Sequence, residues 1–367
     1  MRAGRDQKGE ALLRKLESAG YAPCDPDVLQ PASVFLALSG EDIRGRLLLT
    51  SDGAGGDYCL RPEFTIPISL AYLSSAQAGQ PAAFCCCGPV FRQRSGGRPE
   101  FPQAGLENFG RADREAADAE ILSLALEAAG GVSGGWRIRI GDAGLLTALL
   151  EKLRLPAVWL RRIRGGLAKG RAIADILAPV ADRADHSGVL AALDGADKTG
   201  ARALVEDLLK IAGIAALGGR TPGEIAERFL EQAAMRSSAG LDDDKRRLLT
   251  KFFAVEGQPD HASAQLRALF AASDIDLGAE MESFDQRLNF LAARGVDLDA
   301  IVFSASFARN LDYYTGFVFE AASAGSALDE PAVGGGRYDR LLATLGAKAD
   351  IPAVGAALWI ERLNGAR

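Results

Sequence analysis

Four short segments place groups that can bind or react beside strand-like apolar runs: LRPEFTIP around Glu63, FRQRSGGRPEFPQAGLENFG from Phe91, FARNLDYYTGFVFE around Arg309, and GGGRYDRLL from Gly334. Together, carboxylates at Glu63 and Glu107, the Gln103 amide, the phenols of Tyr313 and Tyr314, and the guanidiniums of Arg92 and Arg309 suit a small zwitterion. A carboxylate takes an ammonium group, an arginine takes a carboxylate, and a second acid with a phenol orients a side chain that bears donors. Singly, each has a plainer explanation. Glu63 or Glu107 fits a solvated surface carboxylate, Arg92 and Arg98 a rim pair, Tyr313 or Tyr314 a core aromatic, and GGGRY a turn before a helix.

Several chemistries are excluded. The contiguous glycines of GGGRY are not the spaced G-x-G-x-x-G of a dinucleotide fold, and the Lys-Ser/Thr ending of a phosphate loop is absent. The two histidines, His186 and His261, lie in polar, aspartate-containing sequence and read as surface residues, which leaves no nucleophile and base pair. The cysteines are Cys24, Cys59 and the run Cys85, Cys86, Cys87, without a C-x-x-C pair; they read as small buried hydrophobes, so no metal and no cofactor is expected. A formal charge of -6 over 367 residues lacks the positive field of a nucleic-acid binder. No apolar run reaches membrane-spanning length and no h-region follows the first charges, so the expected compartment is the cytoplasm, away from membranes.

The elements that must position these groups are mixed. GEALLRKLESAG puts Leu12, Leu13, Leu16 and Ala19 on one helical face before Gly20. From 21 to about 110, Pro and Gly interrupt short apolar runs, the pattern of strands joined by turns. DREAADAEILSLALEAAGG predicts a helix with Asp113 as N-cap and Gly130 as stop, and GWRIRIGD alternates as a half-exposed strand. Between about 142 and 296 strand signals almost vanish: DAGLLTALLEKL and FDQRLNFLAARG are amphipathic, and TPGEIAERFLEQAA opens on a capping box from Thr221 to Glu224. Strands resume with AIVFSASF, YTGFVFEAA and a glycine-rich segment, AVGGGRYDRLLATLG, that leads to AVGAALWIERL. The expected organisation is a core in two parts, 1–145 and 297–367, around a mainly helical insertion and connecting region, 146–296.

LRPEFTIP, FR followed by EFPQAGLENFG, RNLDYYTGFVFE and GGGRYDRLL, in this order around a helical insertion, resemble the catalytic core of histidyl-tRNA synthetase, a class II synthetase. The resemblance covers nearly the whole chain. It implies an α+β fold, a six-stranded antiparallel sheet flanked by helices, and a homodimer. It further implies that Glu63, Thr65 and Gln103 hold the amino group of histidine, that Glu107 and Tyr314 bracket its imidazole beside Tyr313, and that Arg309 and Arg92 complete the site. Arg362 matches the arginine of the third motif.

The departures are specific. Arg94 stands where the synthetase pattern has a glutamate that helps bind ATP, and the loop between FR and PQ is shorter. Phe64 replaces a glycine, Pro102 a histidine and Asn310 a glycine, and the sequence ends soon after Arg362, where the synthetase continues into an anticodon-binding domain. A kept histidine pocket, an altered ATP site and no anticodon domain resemble the regulatory subunits of ATP phosphoribosyltransferase. That family implies no catalysis of its own, histidine as feedback signal, and a hetero-oligomer with the short catalytic subunit. Two alternatives remain open: a truncated synthetase-like enzyme that activates or ligates histidine, and a module that senses amino acid or uncharged tRNA.

Overall fold

A computed structural model describes residues 7–38, 45–94, 96–132, 135–178, 207, 241–307, 313–323 and 331–365. Its strands are β1 (Ala22–Pro23), β2 (Leu29–Pro31), β3 (Leu49–Ser51), β4 (Asp57–Leu60), β5 (Ala82–Phe91), β6 (Glu100–Phe109), β7 (Trp136–Asp142), β8 (Glu256–Gly257), β9 (Ile301–Ser304), β10 (Phe317–Ser323), β11 (Val333–Arg337) and β12 (Ala353–Trp359). Three of them form a small sheet in the order β2-β4-β3, and nine form the central sheet, β1-β5-β6-β12-β11-β10-β7-β9-β8. From β5 to β7 every neighbouring pair is antiparallel, which is the expected six-stranded sheet. Short edge strands extend it: β1 runs parallel to β5, β9 parallel to β7, and β8 antiparallel to β9.

The chain divides into two compact units, Met1–Leu149 with Phe252–Arg367, and Leu150–Lys251. The first holds both sheets. In the second, the described helices Ala157–Ala168 and Ile173–Leu177 bury Trp159, Ile163, Ile176 and Leu177. The capping box from Thr221 and the residue His186 lie outside the described residues; His261 is exposed, as its polar surroundings predict.

Several local expectations hold, with instructive departures. The helix Arg114–Ala129 stops at Gly130, but the Asp113 carboxylate does not cap it, because Arg111 binds it at 3.0 and 2.5 Å instead. Two helices, Ala32–Leu38 and Thr65–Leu73, interrupt the stretch that reads as strands and turns alone. In Thr65–Leu73 the opening Thr-Ile-Pro carries strand-like residues, yet the Glu63 carboxylate accepts hydrogen bonds from the Thr65 and Ile66 amides at 2.5 and 2.9 Å, satisfying two of the helix's free donors. The triple glycine is not a turn but the middle of β11. A Cβ on Gly335 would stand 2.2 Å from the Gly355 carbonyl oxygen, so close strand packing, not turn geometry, demands glycine there.

The central sheet buries a different set of groups on each face. Helix Arg114–Ala129 packs on β11 and β12, and helix Gly278–Ala293 packs against it. Between them and the sheet lies an ion network. Fully buried Asp118 accepts from Arg287 Nε at 2.9 Å and from Arg337 Nη2 at 2.7 Å; Arg287 also binds Asp142 at 2.9 Å, and Arg337 binds Asp339 at 2.9 Å. On the opposite face, the helix Thr65–Leu73 and its approach cover β5 and β6, with Phe64, Ile66, Ile68, Cys86, Val90 and Phe101 in one apolar cluster. Cys59, Cys85, Cys86 and Cys87 are buried free thiols, and Cys24 is half-buried.

Candidate functional site

The two-residue period of β6 sets the site. Gln103, Gly105 and Glu107 alternate along the strand and share the face toward helix Thr65–Leu73, Gln103 opposite Gly88 and Trp359, Glu107 opposite Phe84 and Gly355. The Glu107 carboxylate lies across Gly355: a Cβ there would meet its Oε2 at 1.6 Å, so only glycine lets the acid reach its partners. Those partners are two hydroxyls. Thr65 Oγ1 donates to Oε1 at 2.7 Å, and the buried Tyr338 hydroxyl donates to Oε2. Glu63 stands beside the same threonine, held by the two backbone amides of the helix start.

The electrostatics follow from this arrangement. Burial raises the Glu107 carboxyl from its ordinary 4.5 to about 8, against the lowering effect of the Tyr338 and Thr65 hydroxyls, and the neighbouring Glu63 adds to the rise. Glu63 is also raised by burial, opposed by the Ile66 and Thr65 amides, the Thr65 hydroxyl and the charge of Arg92. The phenols of Tyr313 and Tyr338 are pushed up by burial and by both carboxylates. Two acids thus share one pocket of hydroxyls and amides. Such a site gains most from a bound cation or from a donor on a neutral ring.

The aromatic wall comes from the segment before β10. Tyr313 lies edge-on to Tyr314 at 4.9 Å and tilted against Tyr338 at 5.3 Å. Tyr314 lies along the glycine strand, where a Cβ on Gly336 would be 2.9 Å from its ring. Gln103 is 2% exposed, on the same face of β6 as Glu107.

The structure therefore brings together Glu63, Thr65, Glu107 and Tyr313 directly, sets Tyr314 and Gln103 on the same face, and places Arg92 within electrostatic reach of Glu63. Arg309, with Asn310, lies outside the described residues. Sequence reasoning missed Tyr338 as a partner of Glu107. The signal was present, since Gly334, Gly336 and Tyr338 continue one period-two face of the quoted GGGRY. It also missed the role of Gly355.

Beside this pocket, the Arg92 and Arg94 guanidiniums lie over the same Phe101 ring, at 5.1 and 4.5 Å from its centroid. Arg94 Nη1 reaches Glu361 Oε2 at 3.3 Å. Arg94 is thus tied to the residue preceding Arg362. Arg362 itself lies over Trp359, centred 5.3 Å away, and donates to the Pro331 carbonyl at 2.8 Å. Among the described residues, no helix is long and apolar enough to cross a membrane.

Comparison with known proteins bears on these features. A family model described as histidyl-tRNA synthetase matches residues 4–216 and 200–363. The sequence is 40% identical over 352 residues to an ATP phosphoribosyltransferase regulatory subunit from Mesorhizobium japonicum, covering 93% of this chain and 92% of that one. It is 38% identical over 365 residues to the regulatory subunit from Allorhizobium ampelinum, covering 97% and 96%. Among solved structures, an ATP phosphoribosyltransferase regulatory subunit/histidyl-tRNA synthetase from Bacillus halodurans aligns with a TM-score of 0.69 at 20% identity, over 100% of this chain and 81% of that one. That likeness establishes the synthetase-like fold.

Proposed function

Because the chain belongs to the family of ATP phosphoribosyltransferase regulatory subunits, we propose that it binds free L-histidine at the Glu63–Glu107 site without transforming it, and thereby controls a short catalytic subunit in histidine biosynthesis. The observation that carries this reading is the pairing of buried Glu107 with half-buried Glu63, whose described hydrogen-bond partners are hydroxyls and backbone amides, on the strand face that also carries the buried Gln103. Glu63, Thr65 and Gln103 receive the ammonium group, Glu107 and Tyr314 the imidazole beside Tyr313, and Arg92 with Arg309 the carboxylate. The protein works as a homodimer within a cytoplasmic hetero-oligomer. Its logic is linkage: histidine changes the partner's activity because it binds one state of the complex more tightly than the other, a coupling of about 1–3 kcal/mol.

The non-catalytic part of the reading is supported by Arg94, whose bond to Glu361 puts a cation and its counter-ion where the synthetase pattern has an acid for ATP. Histidine-dependent exchange of pyrophosphate into ATP is expected to be absent; robust exchange would restore the enzyme alternative. The decisive experiment mixes the chain with the short catalytic ATP phosphoribosyltransferase of the same organism. Co-elution, raised activity and inhibition by histidine are expected, with Glu107→Ala keeping assembly and losing sensitivity. Catalytic activity indifferent to this chain, with no co-elution at micromolar concentrations, overturns the reading.

A further inference from the structure

Two glycines in adjacent strands notch the sheet beside the pocket. Gly88 of β5 lies directly opposite Gln103, and Gly105 comes next on the same face of β6. A face stripped of Cβ atoms leaves room for a ligand to extend from Gln103 toward β5. The chain's own side chains fill that room. Over Gly88 stand the Arg61 guanidinium, its Nη2 2.9 Å from where a Cβ would be, and the 3% exposed Phe64 ring, its Cζ 3.6 Å from the same point; over Gly105 the Cys86 Sγ lies at 3.0 Å and the Phe64 Cβ at 3.9 Å.

The ring and the guanidinium hold each other in place. The Arg61 guanidinium is centred 4.5 Å from its centroid, is itself 2% exposed, and is fixed by donating to the Pro89 carbonyl at 3.0 Å and to the Pro26 carbonyl. Phe64 also stands between Glu63 and Thr65 in sequence, so the turn that delivers the acid and the hydroxyl also aims the ring. A phenyl held by a buried guanidinium and by the start of a helix does not swing aside cheaply.

We propose that Phe64, packed with Arg61 over Gly88, sets the size limit of this site: it admits a free amino acid and excludes one whose α-carboxyl group is extended by an ester, an amide or an acyl phosphate. The inference rests on the reading of the site as a histidine pocket and adds the class of ligand it refuses. It also supplies a steric reason for binding without activation, separate from the charge change at Arg94.

The test compares L-histidine, its methyl ester and its benzyl ester by calorimetry, on the wild type, Phe64→Gly and Phe64→Leu. Both esters lose the same charge, so their ratio reads size alone. The wild type is expected to bind the benzyl ester at least about tenfold more weakly than the methyl ester, and Phe64→Gly to bring the two within about twofold, the scale on which apolar pockets discriminate bulk. Phe64→Leu, which keeps the core filled, falls between and decides the matter if the glycine variant does not fold. Equal ester affinities in the wild type, or variants that gain nothing for either ester, overturn the proposal while histidine binding stands. Failure of the wild type to bind L-histidine overturns both readings.

Discussion

The two faces of the central sheet bury acids under opposite rules. Beneath helices Arg114–Ala129 and Gly278–Ala293, Asp118, Asp142 and Asp339 each meet a guanidinium, from Arg287 or Arg337. On the other face, Glu63 and Glu107 meet hydroxyls and backbone amides, and the Glu107 carboxyl rises to about 8. The contrast is compressed into two consecutive residues: Arg337 serves the ion network and Tyr338 the pocket. A buried acid with a fixed cation has finished its chemistry, since its desolvation is already offset inside the fold. A buried acid with only neutral donors keeps a proton or recruits a cation from outside. One face pairs its acids with guanidiniums; on the other, among the described residues, Glu107 is bonded only by hydroxyls.

The sharpest way to break this comparison is to remove Asp118. Asp118→Ala leaves two buried guanidiniums without their shared acid, and losing one partner of a buried ion pair costs about 3–5 kcal/mol. Urea unfolding should show a loss of that size. Histidine affinity of the protein that remains folded should stay within about 0.5 kcal/mol of wild type, because the network touches none of the pocket's acids. A stable Asp118→Ala protein would show that the network is not what holds these helices on the sheet.

The second test turns on pH. A carboxyl whose pKa is raised by folding, from 4.5 to about 8, binds its proton more tightly in the folded state. Its stabilising contribution is whole below about pH 4.5 and is lost as pH rises through 8. Glu107→Gln removes that slope, so its stability relative to wild type should improve by a few kcal/mol between pH 5 and pH 8.5, an order-of-magnitude figure for a shift of this size. Parallel stability curves for the two proteins would mean that Glu107 has a cation at hand after all. Glu107→Ala goes further and should weaken L-histidine binding by about 1–3 kcal/mol in calorimetry, the cost of an unpaired buried donor. Unchanged affinity would move the imidazole elsewhere.

What the sequence made legible follows the range of the forces involved. Period and punctuation are local, so the helix ending at Gly130, the alternation of β7, and Gln103 and Glu107 on one face of β6 could all be read from neighbours. The strand character of Gly334–Gly336 could not. Local preference puts three glycines in a turn, and groups from other segments forbid a Cβ at two of them: the Gly355 carbonyl, the Ala356 Cα and the Phe319 ring at Gly335, and the Phe317 carbonyl and the Tyr314 ring at Gly336. Helix Thr65–Leu73 was hidden for a mixed reason: its β-branched opening favours a strand, and the compensating acid precedes it in a site motif. The role of Tyr338 depends on the pairing of β6 with β12 and of β12 with β11, which no single segment reveals.

The smallest predicted effect isolates the hydroxyl that distinguishes the two faces. In Tyr338→Phe the ring remains to pack against Tyr313, 5.3 Å away, so the change removes one donor to Glu107 and little volume. That hydrogen bond lowers the Glu107 pKa, so its loss raises it further, and the pH at which stability falls should move upward. Histidine affinity near neutral pH should drop by about 0.5–1.5 kcal/mol, the net worth of one hydrogen bond. The drop should be smaller than that of Glu107→Ala, because Tyr338 acts on the ligand only through the carboxylate. A larger loss would put the Tyr338 hydroxyl in contact with the ligand itself. No change in either measurement would mean that Thr65 alone holds the acid in place, and the difference between the faces would then rest on Glu107 having no guanidinium bonded to it among the described residues rather than on the hydroxyls.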